Sequence, residues 1–306
     1  MNARIINKML MLPVVMLVVS FAVFVAVRHL PGDPARMLAG PAATQDAVDA
    51  VHHSLGLDRP VMQQYGGFMR GALAGDLGVS IESRQPVGRE IASHFPYTLL
   101  LGLSAYALAL CFGIPGGLAA AMFQDGVWDR IFMGITIVLA SVPNFWFALL
   151  LMELFSVRLG LLPLMGAHSW SSLLMPSLTL ALMPMALIGR MTRASMIAVL
   201  SRDYIRTARA KGVGLMRLCL RHALPNALPP VITVIGMNLG SVIGGAVVTE
   251  TVFGWPGLGH LMIEAVRWRD YPVIEGVTLV AVLSVILVNL AADILISRID
   301  PKTRRI

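Results

Sequence analysis

The sequence predicts an all-α, polytopic membrane protein of about six transmembrane helices, with one folded insertion after the first. Three observations carry that prediction. Of 306 residues, 57% are hydrophobic and only 13% charged, too few charges to coat a soluble domain of this size. The mean hydropathy, +0.75, agrees. The apolar residues gather into uncharged runs: the first, Met9 to Val27, covers about 28 Å at about 1.5 Å per residue, against a hydrocarbon core about 30 Å thick.

That first run reads as a retained span and not as a removable signal, because Arg28-His29-Leu30-Pro31 follows it where small cleavage-site residues would stand. Residues 1–30 therefore form a tail and the first helix. The polar stretch 31–96 reads as an extracytoplasmic loop subdomain with its own helices. Thr44 is placed to cap a helix that buries Val48, Val51 and Leu55 on one face and stops at Gly56. Pro60 suits the first position of a second helix, in which Val61, Tyr65, Phe68, Met69 and Ala72 recur at helical spacing before Gly75-Asp76. Residues 97–306 form the core, with spans near Tyr97 to Phe123, Ile131 to Met152, Leu173 to Gly189, Ala227 to Thr249 and Gly276 to Ala292. Pro115, Pro143, Pro176 and Pro184 in or beside these runs predict bent helices.

Basic residues set the orientation. Arg4 and Lys8 precede the first span, eight Lys and Arg lie between Arg190 and Arg221, and Arg298, Lys302, Arg304 and Arg305 close the chain. All three regions fall on one side, so both termini and the loop 190–226 are expected in the cytoplasm. The net charge of +7 is a topology signal, and nucleic acid is not an expected partner.

Several chemistries find no support. No Gly-x-x-x-x-Gly-Lys-Ser/Thr stretch is present to cradle a nucleotide phosphate, and His260 and Glu264 lack the second histidine of a zinc protease helix. Cys111 and Cys219 have no ligand or disulfide spacing. The expectation is no catalytic residue, no metal site and no cofactor in this chain. Glu153, Glu250 and Asp293 fall at span ends, where interfacial water would solvate them.

The loop 190–226 is the most informative segment. Ser201 to Gly212 reads as a capped helix closed by glycine, and Gly214 to Ala223 as a second short helix ended by Leu224-Pro225-Asn226. Composition alone also fits an orientation signal lying on anionic lipid. The spacing around Gly212 resembles the cytoplasmic loop of ABC importer permeases, with Ala208, Gly212, Leu224 and Pro225 at the pattern positions. Arg206, Thr207 and His222 depart from the general pattern and are similar to its dipeptide and oligopeptide branch. Leu30-Pro31-Gly32-Asp33-Pro34, Leu162-Pro163, Phe253-Gly254-Trp255-Pro256-Gly257-Leu258-Gly259 and Arg269-Asp270-Tyr271-Pro272 extend the resemblance across nearly the whole chain, to the first permease of peptide, glutathione and nickel importers.

The resemblance implies a type I ABC importer permease fold in a bacterial inner membrane. It also implies a paralogous second permease, two cytoplasmic ATP-binding subunits that hold ATP and Mg, and an extracytoplasmic substrate-binding protein, with membrane lipid around the two permeases. In the loop, Gly212 would turn the chain, Leu215 and Leu218 would pack into an ATPase groove, Arg206, Arg209 and Arg217 would orient it, and Pro225 would fix the junction to the fifth span. On the opposite side Trp255, Pro256, Gly257, Asp270 and Tyr271 would contact the binding protein or close an outer gate; Trp255-Pro256-Gly257 also suits an interfacial re-entrant turn. The cargo implied is a di- or oligopeptide, glutathione included, with nickel or a metal chelate as the alternative. A membrane enzyme would show paired intramembrane histidines or a buried acid-base cluster, and a scaffold without transport would not need the glycine-centred loop.

Overall fold

In the computed structural model of the chain, residues 3–29, 33–40 and 42–299 are described. Among them every regular element is helical, apart from a single bridge between Val79 and Pro86. Leu30-Pro31-Gly32, Pro301 and the basic residues Lys302, Arg304 and Arg305 lie outside the described residues.

The first span is α1 (Ala3–Arg28). The insertion holds α2 (Pro34–Ala39), α3 (Gln45–Ser54) and α4 (Val61–Leu73). Both predicted helices are present, although Thr44 occupies the cap position of α3 without a side-chain bond and Pro60 precedes the first residue of α4. The short α2 stands where the sequence read only as a turn: Asp33 caps it by accepting from the Ala35 amide at 2.9 Å, and Pro34 opens it without needing a donor.

The second long helix, α5 (Val87–Met122), starts ten residues before the expected span and runs through Pro96. The third expected span is not one straight helix. It is α6 (Val127–Ser141) followed by α7 (Asn144–Leu151) and a π-turn (Met152–Arg158), bent by 103°. The cause is Pro143, which lacks a donor and holds Val142 in an extended conformation.

Next come a 3₁₀ turn (Trp170–Leu173), α8 (Leu174–Leu200), α9 (Asp203–Ala210) and α10 (Leu215–Arg217). A π-turn (Leu218–Ala223) then joins α10 to α11 (Leu224–Phe253) without a break. The expected stop at Leu224-Pro225-Asn226 is absent: Pro225 falls where the π-turn passes into the first turn of α11, and the helix continues through it. α12 (Leu258–Trp268) and α13 (Tyr271–Ile299) complete the chain. Five helices are long and apolar enough to cross a bilayer, or six if the bent pair counts as one.

Lipid is as apolar as leucine, so helices in a bilayer associate through close packing of small residues. The α5–α8 pair does this. Gly113 and Gly117 of α5 meet Gly189 and Thr192 of α8 so closely that a Cβ on Gly117 would overlap the Gly189 carbonyl, and Phe132 of α6 fills the space over Gly116 and Gly189. Leu101, Ala105, Leu180, Ile188, Val231 and Trp255 form the central buried cluster. Further clusters close each end of the bundle: Val27, Val87, Leu258, Tyr271 and Ile274 at the insertion end, and Ala121, Met196, Ile205 and Leu218 at the basic-loop end.

Candidate functional site

At the basic-loop end, α8 runs out at Leu200, and Ser201 finishes it by donating its hydroxyl to the Ile197 carbonyl. The predicted cap of α9 therefore shifts by one residue, to Arg202, whose backbone is extended. α9 is one-sided. Ile205 is buried among Ala121, Met196, Leu218 and Cys219, while Tyr204, Arg206, Thr207 and Arg209 face away from the bundle and Ala208 is half-buried. One apolar plug thus holds a two-turn helix whose other faces are open. The Arg206–Asp203 contact at 3.8 Å joins two exposed side chains, a geometry that contributes about 0–1 kcal/mol.

Gly212 has φ +80°, and no atom would meet a Cβ there, so the left-handed backbone alone demands glycine. The chain turns back and exposes Leu215, Met216, Arg217 and Leu220. Leu218 differs from the expectation. It is fully buried, because the π-turn rotates Leu218 and Cys219 toward the bundle, so it anchors the loop instead of offering a side chain to a partner. Leu224 is half-buried and Pro225 exposed. Tyr204, Met216 and Leu220 join the exposed surface without having been singled out from sequence; their apolar character alone did not distinguish them from core.

Two turns before Leu200, Arg193 makes paired bonds to Asp129 of α6 at 2.5 and 2.6 Å, and the Asp125 amide also donates to Asp129. Asp129 is nearly enclosed, with a side-chain exposure of 4%. This pair ties α8, which carries α9, to the bent α6–α7 unit. Nothing in the spacing of Asp129 and Arg193 announces it.

The insertion end is organised differently. Trp255 is buried, donates its indole N–H to the Tyr97 carbonyl at 3.0 Å and sets its ring edge-on to Tyr97. Asp270 is buried and accepts from the Ser80 hydroxyl at 2.6 Å and the Glu82 amide at 3.1 Å, binding the loop before α5 to the α12–α13 junction. Gly257 and Tyr271 are buried and Pro256 is half-buried. The polar groups of Trp255 and Asp270 are thus answered inside the chain.

At the centre of this end lies Glu250, fully buried. Its carboxylate accepts from the Thr98 hydroxyl at 2.7 Å, the Gly259 amide at 2.6 Å and the His260 amide at 3.2 Å, and Thr98 in turn accepts from the Leu258 amide. The last turn of α11 thus caps the first turn of α12, through α5. Interfacial water does not solvate Glu250, contrary to the expectation from its place at a span end. Gly257 and Gly259 supply the room, since a Cβ at either would collide with the carboxylate. A second pair, Arg28–Glu275 at 2.6 Å, binds α1 to α13, with the guanidinium 3.3 Å above the Phe24 ring.

Beside Glu250 is a cavity of about 210 Å³ whose wall includes Glu82, Glu90, His94, His260, Glu264 and Asp270. Partial burial, then the charges of Asp270, Glu264 and Glu90, hold the Glu82 carboxyl above the usual range. In the insertion, His53 bonded to Asp58 holds that carboxyl below it.

Residues 113–305 match the model of the binding-protein-dependent transport system inner membrane component, and residues 1–102 match its N-terminal companion. The glutathione transport system permease protein GsiC of Escherichia coli strain CFT073 is 45% identical over 300 residues, 98% of each chain. That of Escherichia coli strain K12 is 44% identical over the same length, as is that of Shigella flexneri serotype 5b. Among solved structures, the chain is similar to the MetNI methionine ABC transporter in inward-facing conformations, with a TM-score of 0.59 and 19% identity over 69% of this chain and 96% of the other. It is also similar to an amino acid ABC transporter solved with histidines, with a TM-score of 0.52 and 15% identity over 69% of this chain and 94% of the other. These two likenesses concern the fold.

Proposed function

The chain belongs to the binding-protein-dependent inner membrane transport components, and from that footing we propose that it is one permease of an ATP-driven importer of glutathione or a similar short peptide. It is a multi-pass inner membrane protein and a transport subunit, not an enzyme. Its partners are a paralogous second permease, a substrate-binding protein at the insertion end, and two ATPases, which hold ATP and Mg, at the basic-loop end. Both termini then lie in the cytoplasm.

One observation carries the mechanism: α9 hangs on a single buried residue, Ile205, with its remaining faces exposed. A helix so presented is built to seat in another chain. Tyr204, Leu215, Met216 and Leu220 supply apolar surface, while Arg206, Arg209 and Arg217 supply charge. When nucleotide draws the ATPases together, α9 moves with them, and Arg193–Asp129 carries the displacement from α8 into α6. Pro225, in the first turn of α11, lets the span begin without a break. At the other end, Glu250 and Asp270 hold α12 as the outer gate, with Trp255, Pro256, Gly257 and Tyr271 packed behind it.

The test is Tyr204→Ala with Arg206→Glu in the purified complex. Both side chains are exposed, so the permease should accumulate and keep its thermal stability. Glutathione-stimulated ATP hydrolysis and uptake should fall at least about tenfold, the loss expected when roughly 1.4 kcal/mol or more of coupling is removed. Stimulation that survives in the double variant would refute the role given to α9.

A further inference from the structure

The helix α4 belongs to the insertion, yet its residues divide as those of a membrane-surface helix do. At 100° per residue, Phe68, Val61, Ala72, Tyr65, Met69, Met62 and Leu73 follow one another around one arc, and Gly66, Arg70, Gln63, Gly67, Gly71 and Gln64 fill the other. Only part of the apolar arc meets protein. Tyr65 packs edge-on against Phe21 and Phe24, and Phe68 lies against Phe24. Met62 and Leu73, further round, are 68% and 85% exposed.

The depth of these contacts decides what covers them. α4 crosses α1 at the level of Phe21 to Phe24, four to seven residues below Arg28, or about 6–10 Å into the span. The Tyr65 hydroxyl reaches lower, to the Ser20 hydroxyl at 2.8 Å and the Leu17 carbonyl at 3.2 Å, within the apolar span Met11–Arg28. At and below that level α1 presents Leu17, Val18 and, two turns further down, Val14, apolar side chains that no part of the chain covers. The polar arc has a different neighbour: Gln63, Gln64, Gly67 and Gly71 line a cavity of about 350 Å³ that also holds Arg28, Asp76 and Glu275.

We infer that α4 is seated in the bilayer surface at the insertion end, with Met62 and Leu73 among phospholipid acyl chains and Gln63 and Arg70 toward water. A depth of about 5–10 Å is where amphipathic interfacial helices lie. The insertion is then a lipid-anchored collar beside the first span. Naming this leaflet the outer one rests on the orientation proposed above; the depth does not.

Single nitroxide labels at Met62→Cys, Leu73→Cys, Gln63→Cys and Arg70→Cys test it, in a Cys111→Ser background, with the assembled complex in phosphatidylethanolamine/phosphatidylglycerol nanodiscs. Cys219 is buried and can remain. The first two labels should be several-fold more accessible to oxygen than to a water-soluble nickel chelate, and the last two the reverse. Preference for the chelate at 62 and 73 would overturn the inference. So would shielding at these positions that appears only when the substrate-binding protein is added, which would assign the face to that protein. Either result leaves the importer function standing.

Discussion

The two ends of the bundle handle their polar groups in opposite ways. At the basic-loop end, Tyr204, Arg206, Arg209 and Arg217 point outward, and apolar residues, Ile205 of α9 with Leu218 and Cys219 of the π-turn, do the anchoring. At the insertion end, Glu250 and Asp270 point inward and bond to backbone and hydroxyl donors of other helices. An exposed side chain keeps its charge in water; a charge enclosed between helices must be bonded within the chain or lose the cost of desolvation.

The largest expected effect is therefore at Glu250. Glu250→Ala strands the Gly259 and His260 amides in a site closed to water, and should lower stability on the order of 3 kcal/mol, read as earlier thermal unfolding of the detergent-solubilised complex. Glu250→Gln keeps an acceptor oxygen and should lose less. An alanine variant as stable as the parent would erase the contrast between the two ends. A smaller loss, about 2 kcal/mol, is expected for Ile205→Ala, since an edge site relaxes more readily than a core one. It should be local: faster hydrogen exchange across 203–210 with little change at 98 or 250–260.

The smallest effect sharpens the comparison by pH. Glu82 holds its proton more tightly in the folded chain than unfolded, so the folded state binds more protons from pH 4.5 upward to the raised value. Stability of the 80–86 segment should decline slightly across that window and level off above it, as followed by hydrogen exchange. Because Glu82 is exposed, salt will screen the slope, and Glu82→Gln should flatten it.

How much of this was legible in the sequence depended on the kind of signal. Hydropathy located the spans, and glycine located the turn at Gly212, because both are local properties of the chain. The 103° bend at Pro143 was written as a proline but not as an angle, since a kink in a membrane helix is set by the neighbours that receive it. The burial of Trp255 and Asp270 comes from partners over a hundred residues away, and that of Leu218 from a π-turn that no residue type marks. Glu250 was read as solvated because its position along the span was visible and Thr98 was not. Long-range pairs such as Arg193–Asp129 and Arg28–Glu275 stayed hidden for the same reason.

The unbroken helix through α10, the π-turn and α11 has a consequence for reciprocity. It runs 39 residues from Leu215 to Phe253, about 58 Å at about 1.5 Å per residue, with exposed Leu215 and Met216 near one tip and the Glu250 carboxylate near the other. Both are stations on a single lever arm. If the loop docks on an ATPase and Glu250 holds the outer gate, as proposed, then whatever free energy docking spends in loosening Glu250 from α12 a loosened Glu250 must return as tighter docking, so that gate and motor would report on each other through one element.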